Sequence, residues 1–273
     1  MESLRSLLAK PWAQHLLVVA GLCLLLLPNM SMGLVDPWES HYAETARRVD
    51  VHGDWITLRW HSESRLADQV NGQCRADPEQ CYFFSKPVLI FWLMATSFRV
   101  FGVSDFAARL PLTLVGIAGL FAIYWYLRRS FGKKAGYLAA AVAATTPYYY
   151  MMSRQIMTDI AFVVPVTVGL LALGYYLSFQ DARRRHLYLF YAMVGLATLA
   201  KGLLGFLLPG AIVFAFLLLD PRRFFHQLKR CELVRGALIF LAVAGPWYGA
   251  VYAIHGDTWF DEFILKHHFR RAG

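Results

Sequence analysis

From Leu187 to Leu219 the chain carries one charged residue, Lys201, followed by a glycine. As a single α-helix this stretch would run to about 50 Å, well beyond a hydrocarbon core of about 30 Å. It must fold back on itself, with Lys201-Gly202 at the tip. The surrounding sequence is of the same kind, since 58% of the 273 residues are hydrophobic and only 16% are charged. That composition indicates an all-α polytopic membrane protein and excludes a soluble globular domain. The net charge of +9 reflects where basic residues sit. Nucleic acid is excluded as a partner, because no basic helix is interleaved with base-stacking aromatics.

Charge placement sets the expected topology. Arg128 through Lys134, Arg183-Arg184-Arg185-His186, and Arg222-Arg223 through Lys229-Arg230 read as cytoplasmic loops. Residues 36–86 hold nine of the chain's 18 acids against six Lys and Arg, and they include Cys74 and Cys81. This segment reads as outside, where either a Cys74–Cys81 disulfide or two free thiols fit. Two inside loops need an even number of crossings between them, so Ser153-Arg154-Gln155 with Thr158-Asp159 is an outside tip, as is Lys201. The N-terminal run mimics a signal peptide but is long enough to span, and it lacks a small-residue cleavage pattern. One module over 1–273 is therefore expected, with seven spans at about 12–35, 108–127, 135–152, 160–180, 187–200, 203–219 and 236–254. Parity leaves Pro87–Val103 without a crossing. Its Ser97, Arg99 and many aromatics suit a helix lying at the outer interface.

The outside face then collects the stretch Asp36-Pro37-Trp38-Glu39-Ser40-His41-Tyr42-Ala43-Glu44, Lys86, the tip with Arg154 and Asp159, the Lys201 tip, and Lys266 through Arg271. Cations there would hold a phosphate leaving group, while a carboxylate would accept the proton of an attacking hydroxyl or amine. Lys201, at a tip between short arms, is costly in the membrane unless an anion answers it. Plainer roles exist for the other residues. Lys86, Arg154 and Arg271 can anchor at the interface, Asp159 can cap a helix, and Glu44 can pair with Arg47 and Arg48 on a helix surface. Asp36 and Glu39 fit an N-cap and a capping box around Pro37. His41 and His267 can simply be solvated.

Ordered blocks run through the chain: Glu39 to Tyr42-Ala43-Glu44, Gly53-Asp54-Trp55, Phe84-Ser85-Lys86-Pro87, Phe101-Gly102-Val103 with Ala108-Arg109-Leu110-Pro111, Phe131-Gly132, Thr158-Asp159, Lys201-Gly202 and Pro246-Trp247-Tyr248. In this order the chain resembles the bacterial membrane glycosyltransferases of the GT-C fold related to aminoarabinose transferase and to protein O-mannosyltransferases. The resemblance implies inverting transfer of a hexosyl or pentosyl group, without a nucleotide cofactor. The donor would be a polyprenyl-phosphate sugar, and the acceptor a lipid, glycan or protein on the periplasmic face of the bacterial inner membrane. It also implies that Lys86, Lys201 and Arg271 bind the donor phosphate, that Asp159 shapes the acceptor side, and that a first-loop acid is the base. Glu44, His41, Arg154 and His268 would line the site. Trp38 stands where the family has the Asp of an Asp-Glu pair, so the base is either Asp36 or Glu39. Ser85 replaces a glutamate linked with metal binding, although His268 sits where a histidine is expected. A divalent metal is therefore not assigned. Relatives continue through further spans, so the chain reads as a fragment, a minimal enzyme, or half of a split enzyme whose second subunit supplies the remaining spans. The alternative function is a non-catalytic subunit for lipid-phosphate binding or assembly.

Overall fold

The computed structural model describes residues 10–35, 38–59, 82–222 and 224–269, the side chains of 267–269 excepted. The first apolar run forms α1 (Pro11–Leu26), with Pro11 in the first turn, where its missing N–H leaves no bond unmade. This helix stops well short of the expected boundary at 35. Pro28 follows its end, Asn29 takes a left-handed φ of 58°, and the carbonyls of Met30, Met32 and Gly33 turn toward Arg109 instead of continuing the helical ladder.

The first polar segment contributes α2 (Trp38–His52), and α3 (Leu89–Phe101) packs along it. Ile90, Phe91, Met94, Ala95 and Phe98 make the buried stripe of α3, while Val100 and Phe101 are exposed. Removing Phe91 or Met94 from water contributes about 1.5–3 kcal/mol each. Arg99 pairs with Asp50 at 2.8 Å and stacks on Trp55, and the Trp92 indole donates to the Trp55 carbonyl at 2.7 Å. The chain returns from the first loop through an isolated antiparallel bridge, Arg59 to Tyr82, with the Phe83 amide donating to the Leu58 carbonyl at 2.8 Å. That return fixes the turn carrying Lys86. Cys74 and Cys81 lie outside the described residues.

The remaining helices form the bundle: α4 (Asp105–Phe131), α5 (Lys133–Thr145), α6 (Pro147–Met152), α7 (Thr158–Ser178), α8 (Arg185–Lys201), α9 (Leu203–Leu218), α10 (Phe224–Arg230) and α11 (Leu233–Phe260). The chain closes on π-type turns over Asp261–Phe269. Ser104 caps α4 by accepting from the Ala107 amide. The expected helix over 135–152 breaks in two because Thr146 is extended ahead of Pro147, the geometry a proline imposes on its predecessor. In space α4 lies against α1, α3, α5 and α7, α7 lies against α8, and α8 lies against α9 and α11. Segments α4, α7 and Leu233–Lys266 are each long and apolar enough to cross a membrane.

The required reversal occurs at Gly202, where φ is 69° and ψ is −142°, a region open to glycine. A Cβ on Gly205 would lie 2.3 Å from backbone atoms of Ala197 and Thr198, so α9 leaves the turn in direct contact with α8. The main core joins α2, α3 and the Phe83–Phe84 return to the adjoining ends of α4, α7, α8 and α11, through residues such as Tyr42, Phe91, Ile160, Leu199 and Trp247. The tips carrying Asp159 and Lys201 border this core.

Candidate active site

Asp159 lies in the first turn of α7, and Lys201 is the last residue of α8. Packing of these two helices brings the Lys201 ammonium to 2.7 Å from the Asp159 carboxylate, with the side chains 25% and 28% exposed. Asp159 thus faces a cation and does not cap its helix: the N-cap is Met157, which makes no side-chain cap bond. The ammonium also lies 5.2 Å from the Phe162 ring centre, a cation–π distance. An ammonium has three donors and a carboxylate several acceptor sites. Among the described residues, their one mutual hydrogen bond leaves capacity on both partners.

Tyr42 of α2 borders the pair. Burial raises its phenol pKa, and the nearby Asp159 carboxylate raises it further. The Tyr42 ring meets Phe83 edge-on at 6.2 Å and Phe91 at 5.8 Å. Phe83 and Phe84 are buried, so the turn holding the partly buried Lys86 is anchored in the same core as Tyr42, Ile160 and Leu199. Asp159 and Lys201 are in contact, and Tyr42 and the Lys86 turn share their core.

Glu39 stands in a different setting. Its side chain is 3% exposed, and its carboxylate lies 2.6 Å from the Arg109 guanidinium, which is 6% exposed. One oxygen accepts from Arg109 Nε at 3.1 Å and the Ile156 amide at 2.7 Å, the other from Arg109 at 2.6 Å and the Val35 amide at 2.8 Å. Burial alone would raise the Glu39 pKa. The Arg109 hydrogen bonds and the two amides outweigh burial and hold it below the ordinary carboxylate range. Glu39 is saturated with donors and has no lone pair left for a substrate proton. Its bond to the Val35 amide is the back-reach expected of a capping box, made one residue further back than the sequence spacing places it.

The other predicted residues are dispersed. Glu44 pairs with Arg47 at 2.7 Å and Arg48 at 2.9 Å on its own helix, the plainer of its two readings. His41 is partly buried on the same helix. Arg154 donates to the Pro28 carbonyl and the Tyr150 hydroxyl and stacks on the Tyr150 ring at 5.0 Å. It lines a cavity of about 270 Å³ shared with Glu39, Arg109, Met30 and Gln155. Asp36, Arg271 and the His268 side chain lie outside the described residues. Among the described residues, no three His, Cys, Asp or Glu side chains come close enough to hold a metal ion.

The model of the dolichyl-phosphate-mannose-protein mannosyltransferase family matches residues 85–249, more than half of the chain. The chain belongs to this family. The matched region holds Lys86, Arg109, Asp159 and Lys201, and it begins after Glu39. Among similar proteins, the undecaprenyl phosphate-alpha-4-amino-4-deoxy-L-arabinose arabinosyl transferase 2 of Pseudomonas fluorescens is 28% identical over 95% of this chain and 41% of its own length. The corresponding arabinosyl transferase of Pseudomonas paraeruginosa is 28% identical over 94% of this chain and 44% of its own length. In three dimensions the chain matches ArnT from Cupriavidus metallidurans bound to undecaprenyl phosphate, with a TM-score of 0.81 at 24% identity, over 96% of this chain and 45% of the other. The all-α GT-C membrane fold is therefore shared, and the chain spans less than half the length of these relatives.

Arg109 is the residue of this region that sequence reasoning passed over. It appears in the Ala108-Arg109-Leu110-Pro111 block only as part of a pattern. The available signal was its position about one turn from the start of an apolar helix, where a guanidinium needs a designated partner.

Proposed function

We propose that this chain forms the catalytic GT-C module of an inverting glycosyltransferase that uses a polyprenyl-phosphate sugar. The proposed topology has seven spans, with the first loop and the Asp159 and Lys201 tips on the periplasmic face of a bacterial inner membrane. The names of the arabinosyl transferases and the bound lipid in the ArnT structure support this donor class. The carrying observation is the partly exposed Asp159–Lys201 pair with hydrogen-bonding capacity to spare. Asp159 holds the ammonium in place, and Lys201 donates to a phosphate oxygen, with Lys86 and Arg271 as further cations. As the acceptor hydroxyl or amine attacks the anomeric carbon opposite the phosphate, the C–O bond to phosphate breaks. Negative charge growing on the leaving phosphate is stabilised by the cations. The acceptor proton passes to a carboxylate. Since Glu39 is saturated, Asp36 takes that role in this proposal, and Asp159 borders the acceptor side with Arg154, His41, Glu44 and His268 further out. The sugar is a hexose or pentose, and the acceptor a lipid, glycan or protein.

Transfer from an undecaprenyl-phosphate-linked sugar by the protein in liposomes tests this reading. Asp36→Asn is expected to lower kcat by about 10²–10⁴, the usual weight of a positioned general base. Full transfer in Asp36→Asn and Asp159→Asn would remove both carboxylates from the reaction, whereas donor binding with no transfer by the parent protein would sink catalysis and leave a lipid-phosphate-binding subunit.

A further inference from the structure

Two loops meet at the buried ion pair. From α4, Arg109 reaches the carbonyls of Met30 at 3.0 Å and Gly33 at 2.9 Å, and also that of Met32, while holding Glu39. Through Glu39 the same network binds the Val35 amide, which immediately precedes Asp36 in sequence, and the Ile156 amide, three residues before Asp159. The second loop has its own attachment to α4. Buried Thr113 donates to the Ser153 carbonyl at 2.8 Å, and a Cβ on Gly116 would lie 2.6 Å from the Ser153 hydroxyl oxygen. Arg154 then links back to the Pro28 carbonyl. The segment leading to Asp36 and the turn leading to Asp159 are therefore fastened to one helix and to each other.

We propose that Arg109 and Glu39 are positioning residues for the transfer reaction, holding the end of the α1–α2 loop at Val35 and the turn before Asp159 in one register through the Val35 and Ile156 amides. Neither touches the donor phosphate, which Lys201 meets from α8. The pair acts on the geometry of attack and leaves donor affinity alone, and this role rests on the transferase reading. A displacement of about 1 Å at a reacting centre costs about 10²-fold in rate, so a loosened clamp is expressed in kcat. Arg109 serves a carboxylate and three carbonyls with a planar fork, which a lysine ammonium cannot reproduce.

In the transfer assay Glu39→Gln is expected to lower kcat by about 10²-fold with the donor KM and undecaprenyl phosphate Kd unchanged. Glu39→Asp should restore part of the rate, and Arg109→Lys should not. Thr113→Val, which removes the hydroxyl's bonds to the Ser153 carbonyl and, one turn back on α4, the Arg109 carbonyl, should lower kcat in the same sense and covers the case in which the Glu39 variant fails to fold. Spin labels at the exposed positions Met32 and Met151, in a cysteine-free background, report the two loops directly. Their distance distribution should be narrow in the parent protein and broad in Glu39→Gln. Unchanged kcat and an unchanged distance distribution would overturn the proposal. Loss of kcat and donor binding together, in proportion to the folded fraction, would also overturn it in favour of a purely structural role. A parent protein that binds the lipid phosphate and transfers nothing would instead overturn the transferase reading, with the clamp judged on the label distances alone.

Discussion

Among the described residues, two of the acid–base pairs that join distant segments, Arg109–Glu39 and Lys201–Asp159, differ in almost every respect except chemistry. Arg109–Glu39 is sealed, at 6% and 3% exposure, with every carboxylate lone pair matched by a donor. Lys201–Asp159 is about a quarter exposed and is joined by one hydrogen bond. A buried, saturated pair is costly to break and offers nothing to a ligand. A partly wet, under-coordinated pair contributes little to stability and can accept a third partner. Burial and coordination, more than residue type, separate the sealed pair from the proposed working site.

The contrast is broken most severely at Arg109. Arg109→Ala leaves the Glu39 carboxylate buried without its partner, and the folded state should lose about 3–5 kcal/mol, read as a lowered thermal midpoint in detergent. Gly205→Ala comes next. Its Cβ meets the backbone of α8, so overpacking should destabilise by about 1–3 kcal/mol and weaken donor binding by moving the Lys201 tip. Lys201→Ala should reverse the pattern, with stability changed by less than about 1 kcal/mol. Its lipid-phosphate affinity should fall by about tenfold or more, the weight of a hydrogen bond to a charged group.

Acid sharpens the contrast at a smaller scale. The folded-state pKa of Glu39 is held below its unfolded value of about 4.3. Its contribution is therefore complete above that pH and is lost as pH falls through the folded value. The thermal midpoint of the parent protein should drop more steeply below about pH 4.3 than that of Glu39→Gln. At the bottom of the scale, Glu44→Ala removes a partly exposed carboxylate from Arg47 and from buried Arg48 on one helix. It should lower stability by about 1 kcal/mol.

The sequence made the members of the proposed working pair legible and concealed the sealed one. A lone Lys201 in an apolar stretch forces a hairpin, and counting crossings puts its tip on the same face as Asp159, because hydrophobic length and charge placement are local quantities. Glu39 and Arg109 are 70 residues apart. Their pairing depends on backbone carbonyls at Met30, Met32 and Gly33 that carry no residue-type signal. The same loop ends α1 at Leu26, which is why apolarity alone overextends that helix to 35. Glu39 read as one of two candidate bases, beside Asp36, for a related reason: composition shows that a carboxylate is present, while lone-pair occupancy is a property of the folded chain.

The most direct test is the binding of undecaprenyl phosphate to the parent protein, Lys201→Ala and Glu39→Gln, measured side by side in nanodiscs. If the exposed pair is the phosphate site and the sealed pair its scaffold, Lys201→Ala binds about tenfold or more weakly and folded Glu39→Gln binds like the parent. Equal affinity in the parent and Lys201→Ala, or a loss confined to Glu39→Gln, would contradict it.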